Sequence, residues 1–299
     1  MSNSSKQRAL ITGATGFVGS HLTKQLVQEG WDVSIITRPS SNLNLLSSTI
    51  DDISIYRHDG SIPHMMNIME KAKPDVVFHL ASTVKTQHQP ADVTSLIESN
   101  IEFGTMLVEA MLENNVYRLI NTGTSWQHYQ NKPYSPVCLY AATKQAYESI
   151  LAYYTEASSL QVVNLMLFDT YGPNDPRPKL ISLLLEAART EKPLALSPGE
   201  QLIDIVHIND VVQAYIMAAH RMLNQKANQW EEFAVTSNSP IRLKDLVKTV
   251  EAVLGKQLLI EWGGRPYRSR EVMIPWNNGK TLPSWQPVLS LEEGLRGLV

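Results

Sequence analysis

Along the first half of the chain, short runs of β-branched and apolar residues alternate with longer stretches whose apolar positions recur at helical spacing. A parallel sheet joined by crossover helices produces this alternation. RALIT (8–12), DVSIIT (32–37), ISIYR (53–57), DVVFHL (75–80), YRLINT (117–122) and QVVNLML (161–167) read as strands. DVVFHL is almost continuously apolar, as expected for a strand covered on both faces. Helices are expected over 16–29, from about 93 to 114 and from about 139 to 155. Past Tyr171 the texture changes. YGPNDPRPK (171–179) holds three prolines and a glycine, a loop composition, and helices are expected near 180–190, 209–223 and 243–254 with short strands between them. The pattern predicts an α/β fold with a smaller lobe in the second half.

Between the first strand and the first helix, ITGATGFVGSHL (11–22) places Gly13, Gly16 and Gly19. Glycine at the first position permits a tight turn, at the second a close approach to a pyrophosphate, and at the third close packing of helix on strand. The helix N-terminus adds free N–H groups and partial positive charge for that pyrophosphate. No Lys-Ser/Thr pair follows the last glycine, so the turn is not a P-loop. Further on, YAATK (140–144) sets Tyr140 and Lys144 four residues apart on one helix face. A phenol has an ordinary pKa of about 10, and a neighbouring ammonium is expected to lower it into the range of acid–base work.

The G-x-x-G-x-x-G spacing, the Y-x-x-x-K pair and the order of the elements resemble the extended branch of the short-chain dehydrogenase/reductase superfamily, the branch of nucleotide-sugar epimerases and dehydratases. The resemblance covers most of the chain. It implies a Rossmann domain, doubly wound on a parallel sheet, over residues 1–168. A smaller α/β substrate-binding region over 169–299 is expected to interleave partly with it. It implies that Thr124, in INTGTSW (120–126), holds the substrate oxygen beside Tyr140, with Thr122 as the neighbouring alternative. Thr124, Tyr140 and Lys144 are then the expected catalytic residues. The cofactor is expected to lie along Gly13, Thr15, Gly16, Phe17, Val18 and Gly19, with Asp59 and Gly60 near adenine. Leu80, Ala81, Ser82, Asn100, Thr122, Phe168, Tyr140 and Lys144 complete the expected cofactor contacts. LFDTYGPND (167–175) and GEQLIDIVHINDVVQAY (199–215) resemble the two later signatures of this branch. They look most like those of nucleotide-sugar 4-ketoreductases of the CDP-abequose and CDP-paratose synthase type.

Three departures from the family pattern bear on the substrate. Asp169 stands where the epimerases usually have Asn. Ile203 stands where they commonly have the Arg that pairs with substrate phosphate, a charge-assisted hydrogen bond worth roughly 1.5–3 kcal/mol. Candidate replacements are Arg177 and Lys179, and Arg265, Arg268 and Arg270 in GGRPYRSREV (263–272). Ser125 and Trp126 occupy the places of the Asp-Glu pair with which 4,6-dehydratases eliminate water, so dehydration is not expected. Thr83, Thr124, Ser125, Trp126, Asp169 and Thr170 are further candidates for the substrate side.

About twenty residues beyond the glycine turn, where an acid would bind the ribose of NAD, the chain reads IITRPSSN (35–42). Thr37 brings no negative charge, and Arg38, with the Ser40 and Ser41 hydroxyls, suits the extra phosphate of NADP. NADPH is therefore expected over NAD, and with it net reduction of a nucleotide-linked 4-keto-6-deoxysugar for deoxysugar and surface-polysaccharide synthesis. A 4-epimerase retaining NAD, a reductase of small ketones or aldehydes, and a non-catalytic NADP-binding sensor are the alternatives.

Composition narrows the setting. The 299 residues carry 26 Lys and Arg against 29 Asp and Glu, a net charge of −3, which offers nothing to nucleic acid or an anionic membrane. Cys138 is the single cysteine, which fits a reducing cytoplasm. The polar start MSNSSKQR lacks an apolar signal segment, and its N-x-S triplet at Asn3 is read as chance. No metal site is expected. Homodimerisation through helices 93–114 and 139–155 is what the resemblance implies, with Met106, Tyr147 and Leu151 as contributors.

Overall fold

The computed structural model describes residues 6–224 and 228–299; Asn3 lies outside them. Among the described residues β1 (Arg8–Thr12), α1 (Phe17–Gln28), β2 (Asp32–Thr37), β3 (Ile53–Arg57), α2 (Ile62–Ala72) and β4 (Val76–His79) come first. They are followed by α3 (Val93–Ile97), α4 (Phe103–Glu113), β5 (Arg118–Thr124), α5 (Leu139–Ala157) and β6 (Gln161–Leu167). The second half adds β7 (Asp169–Tyr171), α6 (Leu180–Thr190), β8 (Leu194–Leu196), β9 (Leu202–Ile203), β10 (Ile205–His207) and α7 (Ile208–Asn224). β11 (Trp230–Val235), β12 (Ile241–Arg242), α8 (Leu243–Leu254), β13 (Ile260–Trp262) and α9 (Leu291–Arg296) complete the chain.

Seven strands form one parallel sheet in the order β11-β6-β5-β4-β1-β2-β3. Alternation along β1 divides the core: Ala9 and Ile11 join the layer of α1 and α7, while Leu10 joins the layer of α2, α4 and α5. The order reverses between β1 and β4, and a doubly wound sheet binds ligands in the crevice at such a switch point, beyond the carboxyl ends of its strands. A third core, built on Leu184, Leu246 and Val250, holds the smaller lobe together with α6 and α8. The second half of the chain feeds both bodies, because α7 packs on α1 and β11 pairs with β6.

The structure departs from the sequence expectations in a few places. The helix expected over 93–114 is broken by a π-turn, Glu98–Glu102, between α3 and α4. β5 runs two residues further than expected, to Thr124. The crossover between β2 and β3 is a 3₁₀ segment, Asn44–Asp52. α2, capped at Ser61 with a proline in its first turn, and β11 as seventh strand of the main sheet were not anticipated. No helix among the described residues is long and apolar enough to cross a membrane.

Candidate active site

The glycine turn leaves β1 directly beside the end of β4, since Thr12 is in register with His79. Gly13 has φ +74°, and a Cβ on it would lie 2.6 Å from the Ala81 nitrogen and the Leu80 carbonyl carbon. A Cβ on Gly19 would lie 2.2 Å from the Gly13 oxygen. These positions admit only glycine, because backbone occupies the space a side chain would need. Gly16 caps α1 with no side-chain partner, so the helix N-terminus is open to an anion. Phe17 is buried, which leaves its backbone N–H rather than its ring to face one. The cradle fits the pyrophosphate of a dinucleotide.

At the end of β2, Thr37 is buried and Arg38 is exposed, and among the described residues Arg38 has no acidic partner. Arg38 N donates to the Ser41 hydroxyl at 3.1 Å, so that hydroxyl shapes the turn. Asp59 follows β3, the neighbouring strand, and its carboxylate accepts from Ser61 N and Oγ, each at 2.8 Å.

Beyond β4, Asn100 sits buried in the π-turn. Its Oδ1 accepts from Ser82 Oγ (3.0 Å) and Thr83 N (2.8 Å), and its Nδ2 donates to Thr83 O (3.0 Å) and Thr143 Oγ1 (2.9 Å). All four hydrogen-bonding positions are taken inside the protein, so Asn100 ties the loop after β4 to α5. The Thr122 hydroxyl is likewise engaged, donating to His79 O and meeting Tyr215 OH at 2.7 Å. Thr124, at the tip of β5, is the threonine that meets Tyr140.

Tyr140, Lys144 and Glu148 follow one face of α5. Tyr140 is half-buried as a residue, yet burial pushes its phenol well above the ordinary value, with Cys138 adding to the rise. The hydroxyls of Thr124 and Ser82 oppose this by hydrogen bonding to the phenolate. The lowering expected from Lys144 therefore does not prevail, because loss of hydration outweighs the nearby donors. Lys144 is itself buried at 2% exposure and pushed down to about 8, with the Glu148 carboxylate partly restoring its charge. His79, buried beside it, is held neutral at about 3 by burial and by Lys144.

A cleft of about 750 Å³ begins next to Thr124, at Ser125, and is lined among others by Ser125, Trp126, Asp169, Thr170, Lys179 and Arg268; Thr124, Tyr140 and Lys144 are not among the residues lining it. Lys179 pairs with Asp169 at 3.5 Å, and its ammonium lies 6.0 Å from the Trp126 ring centre. The Arg268 guanidinium lies 5.2 Å from the same ring. Arg177 and Arg265 are not among the residues lining the cleft. Arg177 is clamped to Asp175 (2.7 and 2.8 Å) and to Thr170, and lies 4.6 Å over Phe17. Arg265 is exposed, with its backbone bonded to Leu196 O. Arg270 reaches Ser135 Oγ at 2.7 Å and stacks over Tyr129, joining the tail to the segment after Thr124.

Several polar residues around the site had escaped the sequence reading. Gln127 closes a reciprocal cap with Thr124, three residues earlier, and Glu148 continues the Tyr140–Lys144 spacing by one helical step; both signals were local. Trp276 carries no local signal. It stacks on His128 at 4.2 Å and on Phe168 at 6.2 Å, and so walls the cleft from the far end of the chain. Among the described residues no group of His, Cys, Asp and Glu is arranged to hold a metal.

The model of the NAD dependent epimerase/dehydratase family matches residues 9–231. A CDP-abequose synthase of Yersinia pseudotuberculosis is 27% identical over 276 residues, 90% of this chain and 91% of that relative. The crystal structure of a UDP-glucose 4-epimerase from Thermotoga maritima with UDP-glucose superposes with TM-score 0.83 at 22% identity, covering 97% of this chain and 96% of its own. That of a UDP-glucose 4-epimerase from Brucella ovis in complex with NAD superposes with TM-score 0.84 at 18% identity, covering 98% and 97%.

Proposed function

The chain belongs to the NAD dependent epimerase/dehydratase family, the NAD(P)-dependent enzymes of the short-chain dehydrogenase/reductase superfamily, and from that premise we propose that it is an NADPH-dependent reductase of a nucleotide-linked 4-keto-6-deoxysugar. The observation that carries the reading is Arg38, exposed and without an acidic partner among the described residues, beside a buried Thr37 where NAD-binding enzymes place an acid. A guanidinium there holds a 2′-phosphate bidentately. The likeness to a CDP-abequose synthase over 90% of the chain supports the same reading. Ser125 and Trp126, in place of an acid–base pair after Thr124, argue against elimination of water.

When bound, the cofactor supplies the hydride for the carbonyl carbon. Tyr140 gives its phenolic proton to the oxygen of that carbonyl, and the elevated phenol pKa keeps the proton in place at neutral pH until then. Thr124 donates a hydrogen bond to the same oxygen and fixes it beside Tyr140. Lys144, charged at pH 7 with a pKa of about 8, compensates the phenolate left behind and would hold the cofactor ribose. Lys179 and Arg268, both close to the Trp126 ring on the cleft wall, would take the diphosphate in place of the family's arginine at position 203.

The test is turnover: purified protein mixed with NADPH and CDP- or UDP-linked 4-keto-6-deoxyglucose, followed by loss of NADPH absorbance. Stoichiometric oxidation supports the reductase, and none with any such ketone overturns it. The Thr124–Tyr140–Lys144 set would equally serve a 4-epimerase, whose mark is conversion of an intact nucleotide sugar with no added cofactor.

A further inference from the structure

The buried Glu148 is not accounted for by this chemistry. It is 5% exposed on α5, one helical step beyond Lys144, and touches no part of the cleft. One carboxylate oxygen, Oε2, accepts from Gln127 Nε2 at 2.8 Å. The other, Oε1, accepts from Asn164 Nδ2 at 2.9 Å. Gln127 in turn accepts the backbone N–H of Thr124 on its Oε1 at 3.0 Å, and its Nε2 also donates to Gln145. Asn164, fully buried on β6, additionally donates to Glu232 Oε2 of the edge strand β11 at 3.0 Å. The adjoining β5 makes room for the carboxylate through Gly123, whose Cβ would lie 2.9 Å from Glu148 Oε1 and 2.3 Å from Met166 Sδ. A buried carboxylate is tolerated only where it is hydrogen-bonded and its charge is compensated. The two amides bond it and Lys144 compensates it.

We propose that Glu148 is a positioning residue for the reaction: through Gln127 it holds the backbone of Thr124, and through its charge it keeps Lys144 an ammonium. The inference rests on reading Thr124, Tyr140 and Lys144 as the catalytic set. The charged and titratable neighbours are few. Lys144 comes from α5 itself, Glu232 from β11, and a neutral His79 from β4 lies beyond Lys144. Burial raises Glu148 to about 7; the amides of Gln127 and Asn164 and the Lys144 charge oppose the rise, and Glu232 adds to it.

Cofactor binding, read by NADPH fluorescence without any sugar, therefore has an alkaline limb, falling as Lys144 loses its proton through about pH 8. In Glu148→Gln the alkaline limb moves about one pH unit lower, a tenfold change in the proton affinity of Lys144. With a ketosugar present, kcat falls at least tenfold while KM for the sugar stays within twofold. Gln127→Ala cuts the link from Glu148 to the Thr124 backbone and lowers kcat while the alkaline limb stays in place. An unmoved alkaline limb in a Glu148→Gln protein that melts as wild type overturns the proposal. Should that variant not fold, an unchanged kcat in a folded Gln127→Ala protein overturns it instead. Wild-type protein that binds NADPH with the alkaline limb yet oxidises it with no ketosugar refutes the reductase and leaves the Glu148 result standing.

Discussion

Arg268 and Glu271 form a bidentate ion pair, Nε to Oε2 at 3.0 Å and Nη2 to Oε1 at 2.8 Å, that presents the guanidinium against the Trp126 ring at the cleft wall. A pre-oriented guanidinium loses little freedom when a phosphate arrives. Arg268→Ala is expected to raise KM for the nucleotide sugar roughly ten- to a hundredfold, the equivalent of one charge-assisted hydrogen bond. The NADPH dissociation constant should not change. Arg265→Ala, at an exposed position outside the cleft, should leave both constants within twofold.

Arg38→Asp should weaken NADP binding far more than NAD binding, because the substitution both removes the guanidinium and sets a carboxylate against the 2′-phosphate. Titration of each cofactor by fluorescence checks this. Equal weakening would place Arg38 away from the phosphate.

Tyr140→Phe deletes the proton donor and keeps the ring, so kcat should fall between about a hundred- and ten-thousand-fold, the usual contribution of a positioned acid. NADPH binding and melting temperature should stay close to wild type.

Lys144 links activity to stability. Its pKa in the fold, about 8, lies below the ordinary 10.5, so the fold favours the neutral form. Burying the ammonium therefore destabilises the protein fully below pH 8, and the penalty fades as pH rises toward 10.5. Lys144→Met should abolish the rise in unfolding free energy, about 1–3 kcal/mol in the wild type, that accompanies the loss of this penalty between pH 8 and the unfolded pKa. Turnover should be lost with it. Denaturant melts of both proteins at neutral and alkaline pH measure the difference.

Gly13→Ala should destabilise the chain by several kcal/mol or prevent folding. The positive φ is strained for alanine, and its Cβ would meet the Ala81 and Leu80 backbone, which cannot move without breaking the β1–β4 register. Thermal melting and expression yield report the loss.

Much of the fold was legible because its signals are local. β1, β2, β3 and β6 fall on the expected residues: β1, β2 and β6 are buried along most of their length and largely apolar, and the edge strand β3 sets Ile53 and Ile55 at alternate positions. The 3.6-residue repeat likewise marks α5, α6 and α8 without reference to any partner. The π-turn at Glu98–Glu102 escaped because nothing in ESNIE differs from ordinary helix until Asn100 must turn inward to bond Thr83 and Thr143. The cations of the tail could not be ranked by spacing. Arg177 and Arg265 resemble Arg268 in sequence, and only the positions of Asp175, Leu196 and Glu271 separate them.

By itself the sequence determined six strands of the sheet, the glycine cradle and the Tyr140–Lys144 pair, because each depends on neighbours within a few residues or on a repeat along one element, while Thr124 came from the family resemblance. The tertiary structure decided how those groups are charged and held. Burial raises Tyr140 and lowers Lys144, and Glu148 reaches Thr124 through Gln127 across two elements. Hydration is lost only when separate segments close over a group, so no local pattern could carry that information.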